Sequence, residues 1–476
     1  MILRAATLLA ALLVVTPAFA QDELDDVLEG FDDEEAPAAE PDEPEPSEAR
    51  FWELSGAATL AASSNFQQRA PRSGEPDYRG LSKLRGELAL QLDLALPRGW
   101  DARIAGRGFR DYRYAIDGRS DWGDRALDSY QSELEFQELW VRGSLRDDLD
   151  LKFGRQVVVW GRADTIRVLD VLNPLDNREP GLVDVEDLRL PVTMTRLDYY
   201  WRRWNLTAIA IHEVRFSEEP AFNHEFLPLP GSVSRDPNTP PPIPSAAQPS
   251  SAGSNTEWAA ALNGTFSRWD VSLHWARYFD DAALLQSAGG ASLISRYPRV
   301  TLLGIGANLA RGSWLWKAEA AHISGLKYGE ITPSGPSSAR RDRVDVMLGF
   351  EYGGFAESAI AFEIAQRHIR DFDSDFLGAD LSFLGTSAVG LQQDTVQAIL
   401  RYTHDLRHDT VHLTGLVGAI GWKADDGALA RFSVAYDVRD AVTISCGVML
   451  YRGGDLLAFD GIRNNDRVFA NAKYSF

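Results

Sequence analysis

The chain has 476 residues, 45% of them hydrophobic and 25% charged, with a formal net charge of −21 and one cysteine. A single cysteine excludes an intramolecular disulfide framework, and no Cys/His cluster stands at zinc spacing. The acidic balance excludes the basic face that nucleic-acid binding needs, and no apolar run long enough for a helical membrane span follows the N-terminus. No cofactor or metal is expected.

In chain order, Met1–Ala20 has a charged start at Arg4, an apolar stretch from Ala5 to Val15, and Ala18-Phe19-Ala20 as a small-x-small cleavage site. This pattern predicts an export signal peptide, with Gln21 as the mature N-terminus. Residues 21–50 hold 14 Asp or Glu and one Arg, with prolines at 37, 41, 44 and 46. Such a block buries too little apolar surface to order itself, which predicts an acidic, disordered periplasmic tail. Leu24, Val27, Leu28 and Phe31 recur at helical spacing, which leaves open a helix that docks a periplasmic partner or a segment that enters the following domain.

From residue 51 the dominant period is two. Leu84, Gly86, Leu88, Leu90, Leu92, Leu94 and Leu96 alternate with Lys83, Arg85, Glu87, Ala89, Gln91, Asp93 and Ala95, and similar runs recur at 314–321 and 343–352. Strands are expected near 51–66, 83–96, 100–114, 129–145, 150–160, 193–201, 204–213, 256–266, 269–279, 299–310, 314–325, 341–352, 355–368, 393–406, 410–420, 428–437, 441–452 and 466–476. Short links such as 97–99 and 202–203 alternate with long ones at 67–82, 161–192, 214–255, 280–298 and 369–392. Short periplasmic turns alternating with long outer loops predict an all-β, transmembrane, antiparallel up-and-down barrel of 16–18 strands, about 18, over residues 51–476. Both termini then lie in the periplasm, and closure leaves no sheet edge in lipid.

The side chains fit that frame. Trp100, Trp201, Trp204, Trp269, Trp314 and Phe355 flank short turns, as a membrane girdle does. The inward positions carry both charge signs: Arg85, Glu87, Asp93, Arg103, Arg107, Arg196, Asp198, Lys317, Glu319, Arg343, Asp345 and Arg401. These predict a wet lumen, since a barrel of this size leaves an aqueous channel unless something fills it. The last strand alternates up to Tyr474 and Phe476, and looks like the closing strand that the outer-membrane barrel assembly machinery recognises.

The segment 154–192 is the most distinctive. Its link carries Ile166, Leu169, Val171 and Leu172, too many apolar residues for a solvated loop, so it is expected to fold inward as a short helix plus turns and narrow the pore. Gly154, Arg155, Gln156, Val158, Trp160, Gly161 and Asp164, then Asn173, Pro174 and Asp176, spell G-R-Q-x-V-x-W-G-x-x-D followed by N-P-x-D. In this the chain resembles a widespread, largely uncharacterised family of proteobacterial outer-membrane barrels. The resemblance implies a transport barrel, often associated with trafficking of lipids or hydrophobic compounds. Two roles are expected for this segment. Either Arg155 and Asp164 clamp the loop to the wall as an ion pair with Trp160 beside them, or Arg155, Asp164, Asp170, Asn173, Asp176 and Arg178 face the solute at a constriction. The proline-rich link 214–255 predicts an exposed extended loop.

The expected function is a porin-like channel for small solutes or hydrophobic compounds in the outer membrane of a Gram-negative bacterium, among its lipids and lipopolysaccharide. The alternative is a non-conducting barrel that assists a lipid-transport or efflux machinery through its acidic tail. A hydrolase is not expected, because no G-x-S-x-G elbow occurs and the eight histidines are scattered.

Overall fold

A computed structural model describes residues 51–476 except 184–185, 228–234, 239–244, 282–283, 290–291, 333–334, 374–375 and 378–390; the signal segment 1–20 and acidic segment 21–50 lie outside the described residues. Eighteen strands form one antiparallel ring among these residues: β1 (Trp52–Asn65), β2 (Gly80–Leu96), β3 (Trp100–Asp111), β4 (Ser132–Arg146), β5 (Leu149–Gln156), β6 (Val192–Trp201), β7 (Trp204–Ile211), β8 (Glu257–Thr265) and β9 (Trp269–Phe279), followed by β10 (Arg299–Arg311), β11 (Trp314–Thr332), β12 (Gly335–Phe355), β13 (Ser358–Ile369), β14 (Asp394–Leu406), β15 (Val411–Ile420), β16 (Gly427–Arg439), β17 (Val442–Arg452) and β18 (Arg467–Ser475). Each pairs with its sequence neighbour, and β18 returns to β1 in the register Ala57↔Ser475 to Asn65↔Arg467. The expected strand number and closure are those observed.

Period two is what lets these sequences form a wall with two unlike faces. In β9, Ser272, His274, Ala276 and Tyr278 are buried inward while Leu273 and Trp275 point out and are exposed. Outward leucines such as Leu303 and Leu348 repeat this around the ring. Links 97–99, 147–148, 202–203, 312–313 and 440–441 share one end of the barrel with both ends of the described chain. Trp100, Trp201, Trp204, Trp269, Trp314 and Phe355 lie at that end. The ring closes on a last exchange of backbone bonds, Gly56 N–H to Phe476 C=O at 2.8 Å and Phe476 N–H to Gly56 C=O at 3.0 Å. Tyr474 and Phe476 stack side by side on the outer surface.

Several strands end elsewhere than period two suggests. β3 stops at Asp111 rather than 114, because Arg113–Ile116 and Asp124–Tyr130 form two short helices. Tyr114, Ala126, Leu127 and Tyr130 there bury a small core with Tyr78 and Trp122. β5 stops at Gln156 rather than 160, where the chain turns into the lumen. β11 and β12 run on as a hairpin to Thr332 and from Gly335, past the expected 325 and 341. Polar residues (Lys327, Arg340, Arg341) interrupt the apolar ones there, Leu326 and Ala339, so the alternation is weak.

Candidate functional site

The lumen is the site, and two inward segments shape it. After β5 the chain turns into the barrel before β6 begins. Its first part, Val158, Trp160, Ile166, Val168, Leu169 and Leu172, packs on an apolar patch of the inner wall that includes Met194, Ile209, Leu302 and Met347. The inner wall is therefore not uniformly polar: beside the charged positions a greasy arc lies there, and the segment covers it.

Two carboxylates from the wall hold the segment's backbone. Glu319 of β11 accepts N–H bonds from Arg162, from Ala163 at 3.0 Å and from Leu169 at 3.1 Å. Glu363 of β13 accepts them from Asp164, Thr165 and Ile166 at 2.6, 3.0 and 2.8 Å. Six backbone donors that no helix or sheet serves are satisfied this way, as buried backbone groups must be. Gly161 makes the close approach possible, for its φ is +134° and a Cβ there would lie 2.7 Å from Glu319 Oε1. Lys317 Nζ adds an ion pair to Asp164 at 2.6 Å.

Asn173 is the knot of the loop. Its Oδ1 accepts the Val158 N–H at 2.9 Å, and its Nδ2 donates to Leu190 C=O at 2.9 Å and Gln156 C=O at 3.3 Å. Asp170 pairs with Arg167 at 3.1 Å and Arg189 at 2.9 Å. Beyond Asn173 the segment crosses to the far wall. Arg178 joins Asp176 and Glu133, each at 2.7 Å, and Glu179 binds Lys83 and, at 3.2 Å, Arg85 on β2. Tyr451 of β17 donates its hydroxyl to Pro180 C=O at 2.6 Å. Burial alone would raise the Glu179 carboxyl, but Arg85 and Lys83 hold it far below the usual range. The segment is thus bolted to opposite walls. Among the described residues of the link, the 3-10 turn Glu186–Leu188 alone supplies the helix expected there.

The clamp expected between Arg155 and Asp164 is not formed. Strand alternation places Arg155 on the outer face of β5, where it pairs with Glu135 at 2.6 Å and Glu213 at 2.5 Å. Asp164 takes Lys317 instead, and Trp160 meets His274 edge-on at 5.0 Å rather than either of them.

The second inward segment comes from the link expected to be exposed. Phe222, Asn223, His224, Glu225 and Phe226 are all buried; the prolines at 240, 241, 242 and 244 lie outside the described residues. Glu225 is bound by Arg113 at 3.1 Å and Arg467 at 3.5 Å, a buried triad linking three distant parts of the chain. His224 stacks flat on Tyr130, with ring centroids 3.6 Å apart. Burial pushes its imidazole down to about 3, so it stays neutral. Sequence reasoning missed Arg113, His224, Glu225 and Arg467; the aromatic residues Phe222 and Phe226 were the available signal.

The remaining lumen keeps its charges at the wall. Arg103 pairs with Asp93 at 2.7 Å, Arg196 with Asp198 at 2.7 Å and Arg343 with Asp345 at 2.8 Å. Arg107, Arg401 and Glu87 also face inward, and none forms an ion pair among the described residues.

The whole chain, residues 1–476, matches the model of a family described as "Protein of unknown function (DUF1302)", and the chain belongs to that family. No curated protein matches its sequence. Solved structures similar in fold include OccAB3 of Acinetobacter baumannii, at 9% identity and a TM-score of 0.50, covering 89% of this chain and 99% of that one. OccAB2 of the same organism is similar at 10% identity and a TM-score of 0.51, covering 89% and 98%.

Proposed function

We propose that this DUF1302 barrel is a porin-like channel of the outer membrane, in which small solutes pass through a charged lumen narrowed by residues 157–191. The observation that carries the reading is the bracing of that segment. An eighteen-strand wall encloses more space than its own side chains fill, and here a loop is fixed across the space by Glu319 and Glu363 on one side and Lys83, Arg85 and Tyr451 on the other. A loop held so firmly sets a fixed aperture, as rigid constrictions do in pores. The short-turn end with both termini is the periplasmic side, as such barrels require, and the outward leucines and terminal tryptophans form the lipid band. Asp164, Asp170, Asn173, Asp176 and Arg178 build the constriction loop, while Arg107 and Arg401 offer free cations to a passing solute.

The test is solute entry into vesicles that hold the purified mature chain, with sugars and organic acids of graded size. Channel function gives entry that falls steeply above one cut-off size, with no catalytic turnover of the solute. Vesicles that admit no solute beyond what protein-free controls admit contradict it and favour the accessory role.

A further inference from the structure

The barrel wall contains a seam. β4 has 15 residues, but β5 pairs only with its lower part, from Leu139↔Arg155 down to Arg146↔Leu149. On that side Ser132–Glu138 has no neighbouring strand among the described residues, because the chain leaves the wall after Gln156 to cover the greasy inner arc. A free strand edge is intolerable in a bilayer unless its polar groups are met otherwise. Here a side chain meets the one at Phe136, and ion pairs flank it. Arg155 Nε donates to Phe136 C=O at 3.0 Å, and Arg215, from the link after β7, pairs with Glu135 at 2.5 Å and Glu218 at 2.8 Å. Ion pairs stand where a ladder of backbone bonds would be, and pairs near a surface exchange with water more readily than a sheet parts.

The two sides of the seam differ. Outside lies a cavity of about 670 Å³, lined by Ile104, Leu134, Phe136, Leu139 and Phe153. That is within the roughly 300–1,000 Å³ typical of small-molecule sites. Leu134 at its rim is 89% exposed. Inside stand Glu133, Arg178 and Glu218, all charged. Glu135 sits between, using Oε1 for both arginines, while its buried Oε2 has no hydrogen-bond partner among the described residues.

We propose that this seam is a lateral port for amphiphiles with a hydrogen-bond-donating head, such as a lipid amine. The head travels past Glu135 and Glu133 on the hydrated side, and the tail lies in the apolar groove, in contact with membrane lipid. A wholly apolar solute does not suit the charged inner side, and a wholly polar one does not suit the groove. The proposal rests on the channel reading of the lumen.

The experiment uses the full mature chain with Cys446→Ser, Gln137→Cys and Val214→Cys, which flank the seam and leave Glu135 and Arg215 in place, in phospholipid vesicles. Single-channel conductance is recorded alongside transbilayer movement of a lysophosphatidylethanolamine carrying a fluorophore on its acyl chain. Before cross-linking, the probe crosses at least tenfold faster than in protein-free vesicles. A bismaleimide that joins the two cysteines returns it to the protein-free rate and leaves conductance unchanged. Probe movement insensitive to the cross-link overturns the port, as does loss of movement and conductance together. Absence of conductance in every form overturns the channel reading instead, and probe movement that still responds to the cross-link then upholds the port. Arg155→Gln in the natural chain is a second check, for it unlatches the seam and speeds the probe; an unchanged rate contradicts the proposal.

Discussion

Single side chains do the work that secondary structure does elsewhere in this lumen. Glu319 serves three backbone donors, and Glu319→Ala leaves them buried without an acceptor, at about 1–3 kcal/mol for each group. The expected result is a loosened constriction within an intact wall: larger and noisier single-channel currents, with unchanged heat-modifiable migration on a denaturing gel. Currents identical to the natural chain contradict the anchoring role. His224 gives a pH dependence. Its folded pKa, about 3, lies below the ordinary 6.5 because burial disfavours the imidazolium. The stability it contributes is therefore complete above pH 6.5 and falls as pH drops toward 3, with about 2 kcal/mol lost by pH 5. Glu179 acts in the same direction below the ordinary carboxylate range, because its own folded pKa is lowered. Protection factors of residues 221–227, which correct for the intrinsic slowing of amide exchange at lower pH, are expected to fall between pH 7 and pH 5, and His224→Phe, which keeps the stack on Tyr130, is expected to remove that fall.

Strands and loops differ in how far they can be read from sequence. A strand declares itself by alternation, so Leu84–Leu96 and Val344–Tyr352 were legible, as was the inward side of Arg103, Lys317 and Arg343. The loop 157–191 was legible as an inward segment, since Ile166 and Leu169 cannot stay in water. Its partners were not, for Glu319 and Glu363 stand 150 to 199 residues from the donors they bind and nothing local distinguishes them from other inward carboxylates. Arg155 shows the opposite limit. Its motif marks it, yet its side is fixed by strand parity, which puts it on the outer face beside Glu135. Gly154 explains part of the motif: its φ is +131°, and any Cβ would collide with Leu139 C=O on β4. Gly154→Val is expected to abolish folded barrel in an outer-membrane fraction. Gly86→Ala, where the nearest atom to a Cβ is a Tyr112 ring carbon at 3.6 Å, is the control expected to fold normally.

Across the whole molecule, closure and constriction are separate devices. The wall needs only the eighteen paired strands and the final exchange between Gly56 and Phe476. The aperture needs the braced segment, which adds no strand to the ring. Removing residues 162–189 and joining the ends with a short glycine-serine linker therefore tests the account most directly, through single-channel conductance in a planar bilayer. The natural chain is predicted to give small, steady steps, and the shortened chain steps several-fold larger from an equally folded barrel. Equal conductance in the two chains, or silence in both, would contradict a lumen that conducts and is set by this loop.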